Sequence, residues 1–522
     1  MLFDIKQLIL IVSVIITGLL FHGCNPDESD SEPEEYATSI SQPELTVYEA
    51  PSEVSKSLNY SVFVQYDGGK WIDLHEYSAP VNGNGSGLVA TGNMSFVYFD
   101  SDFSKRINVK VEKREGTVNS VVIRPISADI QPTVNGNTVE FSLTHTGKFS
   151  VEFNNDQDNN LMVFANNLET DKPDPNDPNV HYFGPGIHKI GDDGRGTLTV
   201  KSNETVYIAG GAVVYGHISV ADASYAVQKN VTIRGRGILS GDMEPGHAYT
   251  HPEHGATSSL INLNVADDVK IEGIILHNSV TWNVHMHYCN RIEVRDIKIM
   301  SWTINSDGID PQVCSDILID DCFIRNHDDC VSIKLSWFGG GIQNRNSRNI
   351  TVQNSVFWTD QGRAVLIGPE LATTAVNKLV ENIKVKNMDV LYVENYTSTD
   401  TDWAKGVLAI NDGDGTTVRT ILFEDIRIER IGAGTNLITI NMVKTPYSGS
   451  EGKRVEDITF NNVSCNMVPL LSNYIHGFDT ERIISGVYFN DLIINGSSIR
   501  NAADGNFDIN DYTENIKFTV SN

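Results

Sequence analysis

The sequence predicts an all-β molecule, an antiparallel β-sandwich followed by a parallel β-helix. Three observations carry that expectation. Short alternating runs recur from Val206 onward, at Val206-Tyr207-Ile208, Val231-Thr232-Ile233, Val269-Lys270-Ile271, Ile292-Glu293-Val294, Ile317-Leu318-Ile319, Ile350-Thr351-Val352, Ile383-Lys384-Val385, Ile421-Leu422-Phe423, Ile458-Thr459-Phe460 and Val487-Tyr488-Phe489. One inward residue in two is the period of a strand buried on one face. Most runs lead through Asp, Asn or Gly into a second apolar run, as from Ile292 to Ile299, and those residue types make tight bends. Residues 41–168 differ: strand candidates such as Tyr60–Val64, Ser95–Phe99, Ile107–Val111, Val139–Leu143 and Phe149–Phe153 are divided by turn signals at sandwich spacing.

The elements follow in chain order. Lys6 precedes an apolar run from Leu8 to Phe21, shorter than a membrane span and ending at Gly23-Cys24. It resembles a bacterial lipoprotein signal, residues 1–24, in which Cys24 becomes the lipidated first residue; a plain N-terminal anchor is the alternative. Residues 25–40 are acidic, Pro-bearing and nearly free of apolar side chains, the composition of a disordered tether. The sandwich, 41–168, ends before Lys172-Pro173-Asp174-Pro175, and residues 169–522 form the helix. Its runs are 23 to 38 positions apart, so regular coils account for the short intervals and loop insertions for the long ones. A propeller would need antiparallel blades and regular Asn-Gly hairpins. At 522 residues, two folded units are the expected number, with the sandwich covering the first coil.

A net charge of −28 disfavours nucleic acid and other anionic polymers. Beyond Cys24, the cysteines Cys289, Cys314, Cys322, Cys330 and Cys465 are odd in number and lack paired zinc spacing, so they read as small buried residues.

Chemistry concentrates at Asn305-Ser306-Asp307-Gly308-Ile309-Asp310 and His327-Asp328-Asp329-Cys330. Asp307 precedes Asp328 by 21 positions, about one coil. Stacked coils lie about 4.8 Å apart, so these carboxylates crowd, share a proton and raise one pKa. Glycoside cleavage needs one protonated carboxyl and one carboxylate. A single acid at a solenoid bend is as readily a turn cap; three converging acids favour a use. Asp310 is read as substrate-binding or capping, and Lys334 as a sugar-binding or solvated cation. Trp282, His285, Trp302, His327, Trp337 and Trp358 line a groove or fill the coils. His247, His251 and His254 read as a groove-lining loop rather than a metal site.

Asn305-x-Asp307, Asp328-Asp329-Cys330 and Gly362-Arg363-Ala364-Val365-Leu366-Ile367-Gly368 resemble the N-T-D, D-D and G-H-G motifs of the polygalacturonases, glycoside hydrolase family 28. The sandwich is similar to that of the family 49 dextranases, around Val122-Ile123-Arg124-Pro125 and Ser150–Asn155. The resemblance implies a right-handed helix that hydrolyses a polysaccharide with inversion, without cofactor or metal. Asp328 becomes the acid and Asp307 with Asp329 the water-activating pair; Asn305, Asp310, His327, Lys334 and Arg363 become substrate-binding. So close a carboxylate spacing would by itself suggest retention. The chain departs from family 28 at two places: Arg363 replaces the motif histidine, and Leu408-Ala409-Ile410 stands where Arg-Ile-Lys grips a galacturonate. The expected setting is extracellular or at the bacterial surface, lipid-anchored, on either side of the outer membrane. A polysaccharide lyase and a non-catalytic carbohydrate-binding solenoid are the rival readings.

Overall fold

The computed structural model describes residues 39–42, 44–83, 90–243, 259–335, 346–371, 379–395 and 402–521. Cys24, the leader, nearly all of the tether, His247, His251, His254 and Trp337 lie outside the described residues.

All ten alternating runs are strands of one parallel sheet, and they stack in register. Ile233 pairs with Ile271, then Val294, Ile319, Val352, Val385, Phe423, Phe460, Phe489 and Phe518 follow as successive partners. Each inward position therefore meets the same position one coil on, which is how a β-helix buries its interior without a globular core. The last four form an aromatic stack with centroids 4.8, 4.9 and 4.7 Å apart.

Bends between strands use the left-handed backbone that Asn and Asp tolerate. Asp316, Asn349 and Asn382 have φ of 58°, 55° and 54°. Their side chains join coil to coil, Asn382 Nδ2 to Asn349 Oδ1 at 2.8 Å and Asn349 Nδ2 to Asp316 Oδ1 at 2.7 Å.

The coils share a second parallel sheet of 11 strands, which includes Val284–His287, Ile309–Gln312, Val331–Leu335, Val365–Leu371 and Leu408–Asp412. Val284, Ile309, Val331, Ile333, Val365, Ile367, Leu408 and Ile410 point into the helix core. Alternation then turns His285, Asp310, Ser332 and Lys334 away from that core.

Upstream, two sheets of seven and five strands form the sandwich. Its pairings are antiparallel except for Ala90–Ser101 against Leu161–Asn167, which run parallel; Leu161–Asn167 returns to the sheet after pairing antiparallel with Gly147–Phe153. The first strand, Ser39–Gln42, starts inside the stretch expected to be tether. The sandwich does not sit over the first coil as expected. It lies along the side of the helix: Tyr77, Phe96, Met162 and Phe164 pack with Val213, Ile238, Ile275, Met300, Phe323, Trp358 and Leu391. That apolar column is the outward face of the second strand of successive coils, and it needs a cover as long as itself. Ion pairs border the seam, Arg236 to Asp100 at 3.1 Å, Lys148 to Asp296 at 3.0 Å and Arg430 to Glu152 at 2.9 Å. Residues 38–522 accordingly form one compact unit.

Cys289, Cys314, Cys322, Cys330 and Cys465 are all free and buried in the helix core.

Candidate active site

The turns that carry the acids are held by buried asparagines. Asn283 Nδ2 donates to the carbonyls of Ser306 and Asp307 at 3.2 and 3.0 Å, and Asn326 Nδ2 to those of Ser306 and Asp329 at 2.9 and 2.8 Å. Ser306 Oγ accepts the His327 amide at 3.1 Å, tying one coil's turn to the next. Gly362 lies against the Asp328 backbone, where a Cβ would come within 2.3 Å of its carbonyl carbon. Only glycine permits that approach. Asn305, half-buried, enters the turn at φ 58°.

This framework brings the three acids together. One oxygen from each of Asp307, Asp328 and Asp329 lies within 4.8 Å of the others. Each acid is buried but for a few per cent of its surface. Asp329 is gripped by Arg363, Nε to Oδ1 at 2.6 Å and Nη2 to Oδ2 at 2.8 Å, with the Arg363 amide on Oδ1 at 2.9 Å. Such bidentate pairing fixes orientation as well as charge. Asp328 Oδ1 accepts the Asp329 amide at 3.0 Å, and Thr359 Oγ1 donates to the Asp328 carbonyl at 2.7 Å.

Lys334 neutralises the other side. Its Nζ lies 3.2 Å from Asp307, 3.5 Å from Asp310 and 3.5 Å from Glu370, and 4.3 Å over the Trp282 ring. It is buried rather than solvated. Burial raises the Asp307 carboxyl to about 6, with Asp329 and Glu370 adding to the rise and Lys334 opposing it. Asp310 is fully buried behind Lys334; burial, then Asp307, raise its carboxyl well above the usual range, and neither oxygen has a hydrogen-bond partner. Its side chain caps no turn. His327 is buried, which lowers its pKa. Beside Asp310 in register, His285 bonds Gln312 at 3.0 Å and is lowered to about 3, chiefly by burial.

Sequence reasoning missed Glu370 and the asparagines Asn283 and Asn326. Gly368-Pro369-Glu370 closes the Gly362–Gly368 motif and was the available signal; nothing local distinguished the asparagines. Of the aromatics, Trp358 is fully buried beneath the sandwich and lines no groove, while Trp282 stands at the site.

Three carboxylates so placed have the donor set for a hard divalent cation. Arg363 and Lys334 already supply positive charge to two of them.

The model of the glycosyl hydrolases family 28 matches residues 195–504, more than half of the chain. This chain is a family 28 glycosyl hydrolase. As a family 28 member it is 30% identical over 165 residues to a probable polygalacturonase of Vitis vinifera, covering 31% of this chain and 32% of that one. A probable polygalacturonase of Arabidopsis thaliana is 24% identical over 242 residues, 46% and 47% of the two chains. The chain thus spans between a third and a half of these relatives' lengths. The fold of Dex49A from Penicillium minioluteum matches with a TM-score of 0.62 at 15% identity, over 93% of this chain and 100% of that one.

Proposed function

We propose that this family 28 member hydrolyses O-glycosidic bonds of a neutral or weakly charged polysaccharide, with Asp328 as general acid and Asp307 with Asp329 holding the attacking water. The observation that carries the reading is the convergence of three buried carboxylates within 4.8 Å. Left without a use, such crowding of like charge is costly. Asp307, raised to about 6, is poised to exchange a proton near neutrality. Asp329, oriented by Arg363, contributes an oxygen of fixed direction. Inversion is carried over from the family likeness; the anomer first released, followed by proton NMR, tests it.

The substrate class rests on where the cations are. Arg363 pairs with Asp329 through Nε and Nη2, Lys334 with three carboxylates, and Leu408 and Ile410 face the core. The two cations paired with the acids are thus engaged by carboxylates, and the surrounding acids repel a galacturonate. Reducing-end release should therefore be faster on a neutral glycan such as dextran or galactan than on de-esterified polygalacturonate. Preference for the latter, abolished by Arg363→Ala, would reverse this assignment. A lyase would produce ultraviolet-absorbing unsaturated ends, and a binding solenoid no ends at all.

Asp328→Asn should lower turnover of polysaccharide by about 10² to 10⁴, since the amide keeps shape and has no proton to give. An aryl glycoside with a good leaving group needs little protonation, so the variant should recover most of its rate there. Equal loss on both substrates would remove Asp328 from the acid role. For the N-terminus, lipidation of Cys24 places the enzyme at the cell surface or periplasmic face of a membrane. Metabolic labelling with palmitate that persists in Cys24→Ser would end that part of the reading.

A further inference from the structure

The five-stranded sheet of the sandwich carries an open cavity of about 510 Å³, lined among others by Gln65, Trp71, Asn108, Glu140, Ser142 and His145. None of its lining residues belongs to the carboxylate site. Strand register builds its floor. Gln65, Asn108 and Ser142 stand opposite one another across Tyr60–Tyr66, Ile107–Lys113 and Thr138–Leu143, and Phe63, Lys110 and Glu140 do so two residues along. Their alternating neighbours Val62, Val64, Val109, Val111, Val139 and Phe141 fill the sandwich core, so these two rows face outward. The seven-stranded sheet, not this one, supplies the residues packed on the helix.

The polar row is ordered before any ligand arrives. Ser142 Oγ donates to Asn108 Oδ1 at 2.8 Å, Asn108 Nδ2 to Gln65 Oε1 at 3.4 Å, and Gln65 Nε2 to the Gly69 carbonyl at 2.7 Å. Each amide keeps a second N–H, and Ser142 keeps its lone pairs, all fixed in direction. At the rim Trp71 is 37% exposed. Lys110 Nζ holds position 5.0 Å from the Trp71 ring and 4.5 Å from the Phe63 ring. A sugar presents hydroxyls along its edge and an apolar C–H face, the complement of ordered amides beside an exposed indole. The cavity falls within the usual 300–1,000 Å³ of small-ligand sites, roughly the space of a short oligosaccharide. Glu140 and Asp129 among its lining residues, on a chain of net charge −28, favour a neutral ligand over a polyuronate.

We infer that this sandwich face is a second, non-catalytic binding site for a neutral oligosaccharide segment, holding the polysaccharide on the enzyme while the helix cleaves it. The glycan class rests on the reading above, whereas binding at this face does not require cleavage.

Affinity electrophoresis of the full chain carrying Asp328→Asn, in gels containing dextran, pullulan, galactan or polygalacturonate, tests it. At least one neutral polymer should retard migration, and adding Trp71→Ala with Gln65→Ala should weaken apparent affinity at least tenfold. Asn108→Asp, nearly isosteric, should give a loss of the same order in a chain whose melting is unchanged, so a folding defect in the double variant cannot stand in for the result. Absence of retardation by every neutral polymer, or retardation indifferent to these substitutions, overturns the inference, as does Trp71-dependent retardation by polygalacturonate alone. Failure of the hydrolase reading looks different: no reducing ends from the unsubstituted chain, with Trp71-dependent retardation intact.

Discussion

Lys334 is the residue on which the electrostatics of the site turn. It lies within 3.5 Å of Asp307, Asp310 and Glu370, and its charge lowers Asp307 against burial. If Asp307 must be ionised to activate water, the acidic limb of kcat/KM falls near pH 6. Lys334→Met removes the lowering influence and should move that limb to higher pH with reduced maximal rate. A limb left near pH 6 would show that Asp307 is not the base. The same shift affects stability, and its sign is opposite to that of an ordinary ion-paired acid. A carboxyl raised in the folded state binds its proton more tightly there than in the unfolded chain, where its pKa is about 4. Its stabilising contribution is whole below that value and is lost as pH rises through about 6. Asp307→Asn should thus gain in Tm relative to the parent between pH 4 and pH 6.5. A difference constant across that window would mean Asp307 is not raised. The carboxylates themselves were legible because their types and spacing are local facts. The partners were not, because Arg363 meets Asp329 across 34 positions and Lys334 meets Asp307 across 27.

The strand-and-bend unit was legible for a different reason. Alternation reports which side of a strand is buried, and an in-register stack repeats that report at every coil. The runs from Val206 to Phe489 therefore appear where they do, with Asn and Asp at the left-handed bends. The second sheet gives a weaker signal, since strands such as Ile309–Gln312 are buried on both faces around the site. Asn349 tests the bend at element scale. Replacement by Ala removes two coil-to-coil bonds and leaves a Cβ in the left-handed region without the polar side chain that offsets its cost of about 1–2 kcal/mol. Asn349→Gly loses the bonds without that strain. Urea melts should rank parent, Gly and Ala in falling order with kcat untouched, and an Ala variant as stable as Gly would remove strain from the account.

At the scale of the molecule the sandwich and helix are a joined structure. Met300, Phe323, Trp358 and Leu391 are buried only because the seven-stranded sheet lies over them. Polar contacts run from that seam toward the site: Arg325, fully buried, bonds Asn160 of the sandwich at 2.9 Å and Asp360 at 3.2 Å, and Asp360 also accepts the Asn82 amide at 2.9 Å. Asp360 is three residues from Arg363. A chain beginning at Asn179 would expose the apolar column to water and strip Arg325 and Asp360 of their sandwich partners Asn160 and Asn82. It should aggregate and show no activity, measured by light scattering and reducing-end release. A monomeric, active fragment with native circular dichroism would make the sandwich a passenger.

Sequence alone determined the repeat, the bends, and the convergence of Asp307, Asp328 and Asp329 on neighbouring coils. Each depends on neighbours close along the chain or on the constant offset of one coil, so pattern suffices. Tertiary structure decided the rest. It paired Arg363 and Lys334 with the acids, buried Asp310 against Lys334, and laid the sandwich along the helix instead of over its end. Those outcomes depend on which surfaces meet across hundreds of residues, where charge neutralisation and apolar burial are satisfied by position in space and leave no period in the sequence.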